Sequence, residues 1–113
     1  MIKNLIKIGE FIMLTSKQRA YLKSLSSKME TILIVGKDGV SKETIKQAED
    51  ALVKRELIKG KILETTEDSV KDVANIIAEE TNSEVVQVIG NKFILYKKNE
   101  KEPKITLPKA KKR

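Results

Sequence analysis

Five consecutive residues, Thr31-Ile32-Leu33-Ile34-Val35, form an unbroken apolar and β-branched run that stops at Gly36. A run of this kind suits a strand buried on both faces. Gly36-Lys37-Asp38-Gly39 then makes a tight loop, Ser41 has the side chain of a helix N-cap, and Val40 and Ile45 are spaced as a hydrophobic staple around it. Ile45, Ala48, Ala51 and Leu52 recur with the helical period and supply a buried stripe. Strand, glycine loop and helix succeed one another without a spare residue, which restricts the chain to folds where a helix crosses back over a sheet.

The flanking sequence fills in the rest. Thr15-Ser16-Lys17-Gln18 has the form of a capping box, and Gln18, Leu22, Leu25 and Met29 share one face of the helix it starts, with Tyr21 on the edge. Arg19 and Lys23 fall on an adjoining flank, and no acid occurs between Met13 and Met29, so that helix carries an uncompensated basic shoulder. Leu57 to Leu63 reads as a second strand, with Gly60 inside it hinting at a bulge or a close approach. Thr65 to Asp68 is rich in capping residues and precedes a third helical stripe of Val70, Val73, Ala74 and Ile77, which Thr81-Asn82-Ser83 stops. Val85 to Ile89 and Phe93 to Tyr96 are β-rich runs around Gly90-Asn91, a two-residue hairpin turn. The order α-β-α-β-α-β-β predicts an α/β (α+β) domain over residues 13–98, with three helices on a mixed four-stranded sheet.

Composition narrows the chemistry. The chain of 113 residues has room for one domain and holds neither cysteine nor histidine. Disulfides, thiolate metal sites and every catalytic plan built on imidazole are thereby closed, and the acids are scattered without a tight cluster for magnesium. The expectation is a protein of the reducing cytoplasm that is not an enzyme and carries no cofactor or metal. The net charge of +7 is unevenly placed: Met1 to Tyr96 holds 15 basic and 14 acidic residues, whereas Lys97 to Arg113 holds 8 basic and 2 acidic. Residues 99–113, with Pro103 and Pro108 and almost no core-forming side chains, read as a basic, flexible tail that adds affinity for any polyanion.

Residues 1–12, MIKNLIKIGEFI, are too short and too polar to span a membrane and lack a secretory cleavage site. Gly9-Glu10 can be encoded as a purine-rich ribosome-binding sequence a short spacer before Met13, so Met13 is the expected start and the segment before it an extension of doubtful authenticity. Read instead as protein, Ile2, Leu5, Ile6, Ile8 and Phe11 form one side of an amphipathic helix.

The Gly36–Gly39 loop is the chemical focus. Glycines let a backbone approach closely, and the helix that follows presents unpaired amides at its positive end, an arrangement suited to phosphate. Lys37 stands at the tip, with Lys42 and Lys46 along the following helix, while Asp38 opposes an anion or caps amides. The spacing fits neither the Walker loop nor the dinucleotide fingerprint. Aromatic residues are few and two of them, Phe93 and Tyr96, lie in a strand, so recognition of RNA backbone and shape is expected over base stacking.

Leu14-Thr15-Ser16-Lys17-Gln18-Arg19-Ala20-Tyr21-Leu22, Val35-Gly36-Lys37-Asp38-Gly39-Val40-Ser41, Glu56-Leu57-Ile58-Lys59-Gly60-Lys61-Ile62-Leu63 and Val88-Ile89-Gly90-Asn91-Lys92 together resemble the YhbY-like CRM domain family, from Leu14 to about Lys98. The resemblance implies a stand-alone bacterial RNA-binding domain, similar in fold to the C-terminal domain of translation initiation factor three, with a Gly-x-x-Gly loop used on RNA as in KH domains. It further implies association with precursor ribosomal RNA and the pre-ribosomal large subunit; plant relatives carry the domain in intron-splicing factors. By position, Lys17, Arg19, Lys23, Gly36, Lys37 and Gly39 would form the RNA face. Gly60 departs from the pattern of the family, which usually has a β-branched residue there.

The expected function is thus ribosomal RNA binding during large-subunit assembly by a cytoplasmic, non-membrane monomer. The alternative is a protein-interaction module that docks a ribosomal protein or assembly factor, with RNA affinity incidental to the tail.

Overall fold

Local capping sets where each helix begins. The Thr15 hydroxyl accepts from the Gln18 amide at 3.0 Å and the Gln18 side chain accepts from the Thr15 amide at 3.1 Å, so α1 runs Ser16–Ser26. Ser41 and Thr44 make the same reciprocal pair at the start of α2, Lys42–Arg55. The third helix, α3, Val70–Thr81, starts on Ser69, just after the capping-rich stretch singled out above, and stops at Asn82 in the left-handed conformation, φ 58°. The strands are β1 (Leu33–Val35), β2 (Leu57–Ile62), β3 (Glu84–Ile89) and β4 (Lys92–Tyr96). This computed structural model describes residues 14–108; the extension, the candidate start at Met13 and the last five residues lie outside the described residues.

The four strands form one mixed sheet in the order β1-β2-β4-β3, with β1 parallel to β2 and the other pairs antiparallel. Alternation along the strands divides the apolar side chains between two faces. On one face α2 and α3 bury Val35, Ile58, Phe93 and Leu95 beneath Ala48, Leu52, Val73 and Ile77. On the other, Leu22 of α1 seats on Leu57, Val86, Ile94 and Tyr96. Because α1 rests on β2 and β3, the edge strand β1 is covered on one face only. The expected two-sided burial of Thr31–Val35 therefore fails: Leu33 and Val35 are buried, whereas Ile34 is 54% exposed.

Gly60 is explained by its neighbour across the sheet. Phe93 is paired with it in register and is fully buried, and a Cβ at residue 60 would stand 2.7 Å from Phe93 Cε1. The glycine makes room for that ring, and β2 stays regular. The bulge lies in β3, where the pairing with β4 shifts between Val85 and Gln87.

The C-terminal segment is not loose over its described length. Glu56, fully buried at the end of α2, accepts the backbone amides of Asn99, Lys104 and Ile105 at 2.6, 2.8 and 2.7 Å. Gln18 Nε2 donates to Pro108 O at 2.9 Å, and Ile105 and Leu107 extend the α1-side core. The reading of a flexible tail from residue 99 is corrected accordingly: through Pro108 the segment lacks helix and strand but is tied down, because a carboxylate in the interior needs donors and finds them in the tail. Glu56 itself sits at φ 64°, a conformation that favours glycine and costs about 1–2 kcal/mol. Burial, and secondarily the charges of Glu56 and Glu100, push the Tyr96 phenol up to about 12.

Candidate nucleic-acid interface

The Gly36–Gly39 loop leaves the sheet at the end of β1, where the Leu63 amide donates to Val35 O and prolongs the edge pairing. The Gly39 amide closes the turn on Gly36 O at 3.0 Å, with Gly39 at φ 73°, so a side chain there would be strained. On the inner side the Thr66 hydroxyl lies 2.9 Å from Val35 O and 3.0 Å from Gly36 O, which ties the loop to the β2–α3 connection. Thr66 belongs to the stretch expected to cap α3; it braces the glycine loop instead. Lys37 and Asp38 are left exposed at the tip, and Lys42 is exposed in the first turn of α2. The Ser41–Thr44 capping box engages the Ser41 and Thr44 amides, so the Lys42 and Glu43 amides are first-turn donors that neither the box nor the helix itself satisfies. Three carboxylates moderate the site: Asp38 at the tip, Glu43, exposed in the first turn of α2, and Asp68, whose Oδ2 would be 3.4 Å from a Cβ on Gly39.

The eight residues expected to make the RNA face do not form one patch. α1 and α2 cover opposite faces of the sheet, so Lys17, Arg19 and Lys23 stand on one side and Lys42 and Lys46 on the other, with Gly36, Lys37 and Gly39 at the sheet end between them. Lys46 forms an exposed i,i+4 pair with Asp50 at 3.5 Å, which contributes little.

Arg19 departs most from expectation. Its Nη1 donates to Val85 O at 2.8 Å and Val86 O at 3.0 Å, and its Nη2 lies 3.8 Å from Glu84 Oε1. The β3 bulge frees carbonyls from the ladder, and the guanidinium satisfies them. Arg19 thus fastens α1 to β3 and is not the free phosphate clamp inferred from the basic shoulder. Burial raises the Glu84 carboxyl above its ordinary 4.5, offset in part by the Arg19 charge and the Leu14 amide.

Lys23, one turn further along α1, points elsewhere. It lines an open groove of about 550 Å³ between the end of α1 and the sheet, together with Lys59 and Lys92. Lys17, exposed in the first turn, does not line it. Lys59, Lys61 and Lys92 escaped sequence reasoning, because their shared face follows from strand pairing; the only local sign was the alternation Lys59-Gly60-Lys61. Among the described residues, no helix is long and apolar enough to cross a membrane.

Comparison with known proteins agrees with this architecture. The model of the CRS1 / YhbY (CRM) domain matches residues 14–97. A Bacillus subtilis protein named "Probable RNA-binding protein YqeI" is 42% identical over 96 residues, covering 85% of this chain and 100% of that protein. A Haemophilus influenzae protein named "RNA-binding protein" is 33% identical over 85% of this chain and 96% of its own length. The solution structure of the Staphylococcus aureus protein SAV1595 superposes with a TM-score of 0.72 at 42% identity, over 85% of this chain and 100% of that one. With the glycine loop, the helix order and the sheet pairing all in place, the chain belongs to the CRS1 / YhbY (CRM) domain family.

Proposed function

We propose that this protein binds ribosomal RNA in precursors of the large ribosomal subunit and serves their assembly, as a cytoplasmic monomer without catalytic activity. The observation that carries the reading is the Gly36–Gly39 turn. It leaves Lys37 exposed at the sheet end, five residues before Lys42 and the uncapped amides of the α2 N-terminus, while Thr66 bonds its inner side. An anion held there meets backbone donors, the helix dipole and two ammonium groups together. The RNA-binding names of the relatives in two bacteria support the class of ligand, and the lack of histidine and cysteine supports a binding role.

In this reading the loop amides and Lys37 hold a phosphate, Lys42 a neighbouring one, and Lys23 approaches from the α1 side. Arg19 acts at one remove, by positioning α1. Crosslinking in cells followed by sequencing of the attached RNA tests the partner. Reads concentrated in large-subunit precursor RNA are expected. Reads spread over messenger and transfer RNA, or crosslinks to ribosomal proteins without RNA, would overturn the assignment.

A further inference from the structure

We infer that the open half of the sheet on the α1 side is a second RNA-contact surface, on which Lys61 and Lys92, backed by Lys59 and Lys23, hold the sugar–phosphate backbone beyond the glycine loop. The inference rests on the RNA-binding reading above and extends it to residues outside the loop and α2.

Strand register places four residues in a row across the whole sheet: Ile34 opposite Lys61, Lys61 opposite Lys92, and Lys92 opposite Ile89. The next row brings Lys59 opposite Ile94 and Ile94 opposite Gln87. Ile94 belongs to the α1-side core, so by alternation both rows face that side. α1 covers only the far end, and Ile34 and Ile89, at the two ends of the first row, are 54% and 58% exposed.

Electrostatics identifies the occupant. Like charges directly opposite on neighbouring strands are destabilising, and Lys61 faces Lys92 with no carboxylate in either row to offset it. Neither these two lysines nor Lys23 and Lys59 are in an ion pair among the described residues, and the groove that Lys23, Lys59 and Lys92 line has no acidic lining residue. A surface that repels itself when free is relieved by an anion that spans it. Gly36 follows directly on β1, two residues beyond Ile34, so a chain of phosphates seated at the loop continues onto the Lys61–Lys92 pair. Exposed isoleucines suit contact with ribose, and neither row offers an aromatic side chain for stacking. An RNA backbone, regular in phosphate and continuous with the loop, fits these features better than an acidic protein segment.

The full chain is assayed by fluorescence anisotropy on a labelled large-subunit ribosomal RNA transcript across a salt series. Lys61→Ala with Lys92→Ala should weaken binding tenfold or more and lower the log–log salt slope by about 1.4–1.8, two contacts' worth. Lys61→Glu, which sets a carboxylate opposite Lys92, should weaken binding further while keeping or raising the urea midpoint, so loss of binding cannot be ascribed to loss of fold. If the Lys61/Lys92 double variant binds as the wild type while Lys37→Ala with Lys42→Ala weakens binding, the sheet surface is refuted and the loop reading stands. No effect from either double variant overturns both. Binding of polyglutamate that depends on Lys61 and Lys92, with RNA binding indifferent to them, would assign the surface to an acidic protein partner and refute the RNA path.

Discussion

Replacing Glu56 by glutamine keeps shape and volume and removes one charge, yet it should release the C-terminal segment. Two of the three amides held by the carboxylate, those of Lys104 and Ile105, meet Oε1, and the Asn99 amide meets Oε2. In the variant the carbonyl oxygen can retain the first two as neutral bonds, each weaker by about 1 kcal/mol. The new amide nitrogen confronts the Asn99 N–H donor to donor, which forfeits a charged hydrogen bond of about 1.5–3 kcal/mol. Relief from burying a charge offsets part of this, and the net destabilisation comes to about 2–4 kcal/mol. If docking of the segment is worth less than that, residues 97–108 open locally and global stability falls only by the docking free energy. Urea unfolding measures the first quantity, and amide hydrogen exchange at Asn99, Lys104 and Ile105 measures the second. A Glu56→Gln variant within 0.5 kcal/mol of wild type by urea unfolding, with those three amides equally protected, would refute the clamp.

Other consequences follow from the same contacts. Arg19→Ala should cost about 1.5–3 kcal/mol in urea unfolding by stranding the Val85 and Val86 carbonyls; an unaltered midpoint with lost RNA affinity would return Arg19 to the binding face. Gly60→Val should destabilise by about 1–3 kcal/mol through collision with the buried Phe93 ring, and Phe93→Leu in the same chain should recover part of the loss; a double variant no better than the sum of the singles contradicts the pairing. Because Glu84 holds its proton longer in the folded chain than in the unfolded one, its ionisation lowers stability as pH rises above 4.5. Denaturation from pH 4 to 7 should therefore show Glu84→Gln gaining on wild type as pH rises; the opposite trend overturns the assignment. For Tyr96 the folded pKa of about 12 means stability lost as pH climbs from the unfolded value near 10, and Tyr96→Phe should flatten that alkaline fall.

What the sequence disclosed was local, and what it concealed was long-range. The Thr15–Gln18 box, the Ser41 cap, the Gly90-Asn91 turn and the stripe of α3 are encoded within a few residues, so their reading from sequence alone agrees with the structure. Ile34 gave no such clue. An apolar run looks alike in a central strand and at an edge, and only the order of strands decides which faces are covered. Glu56 was equally silent: it resembles any acid at a helix end, and its partners are backbone amides more than forty residues away. Arg19 was legible as a cation but not as a bonded one, since a bulge in β3 leaves no mark on α1. At the candidate site, the loop glycines and Lys37 were visible because turn chemistry is local, whereas the facing of Lys61 and Lys92 is set by register.

The loop's grip on phosphate is tested most directly by the salt dependence of binding to large-subunit precursor RNA, for wild type and for Lys37→Ala with Lys42→Ala. The expected result is weaker binding and a log–log slope lower by about 1.4–1.8, the loss of two phosphate contacts. Superimposable salt curves for the two proteins would show that the Gly36–Gly39 turn does not hold the RNA.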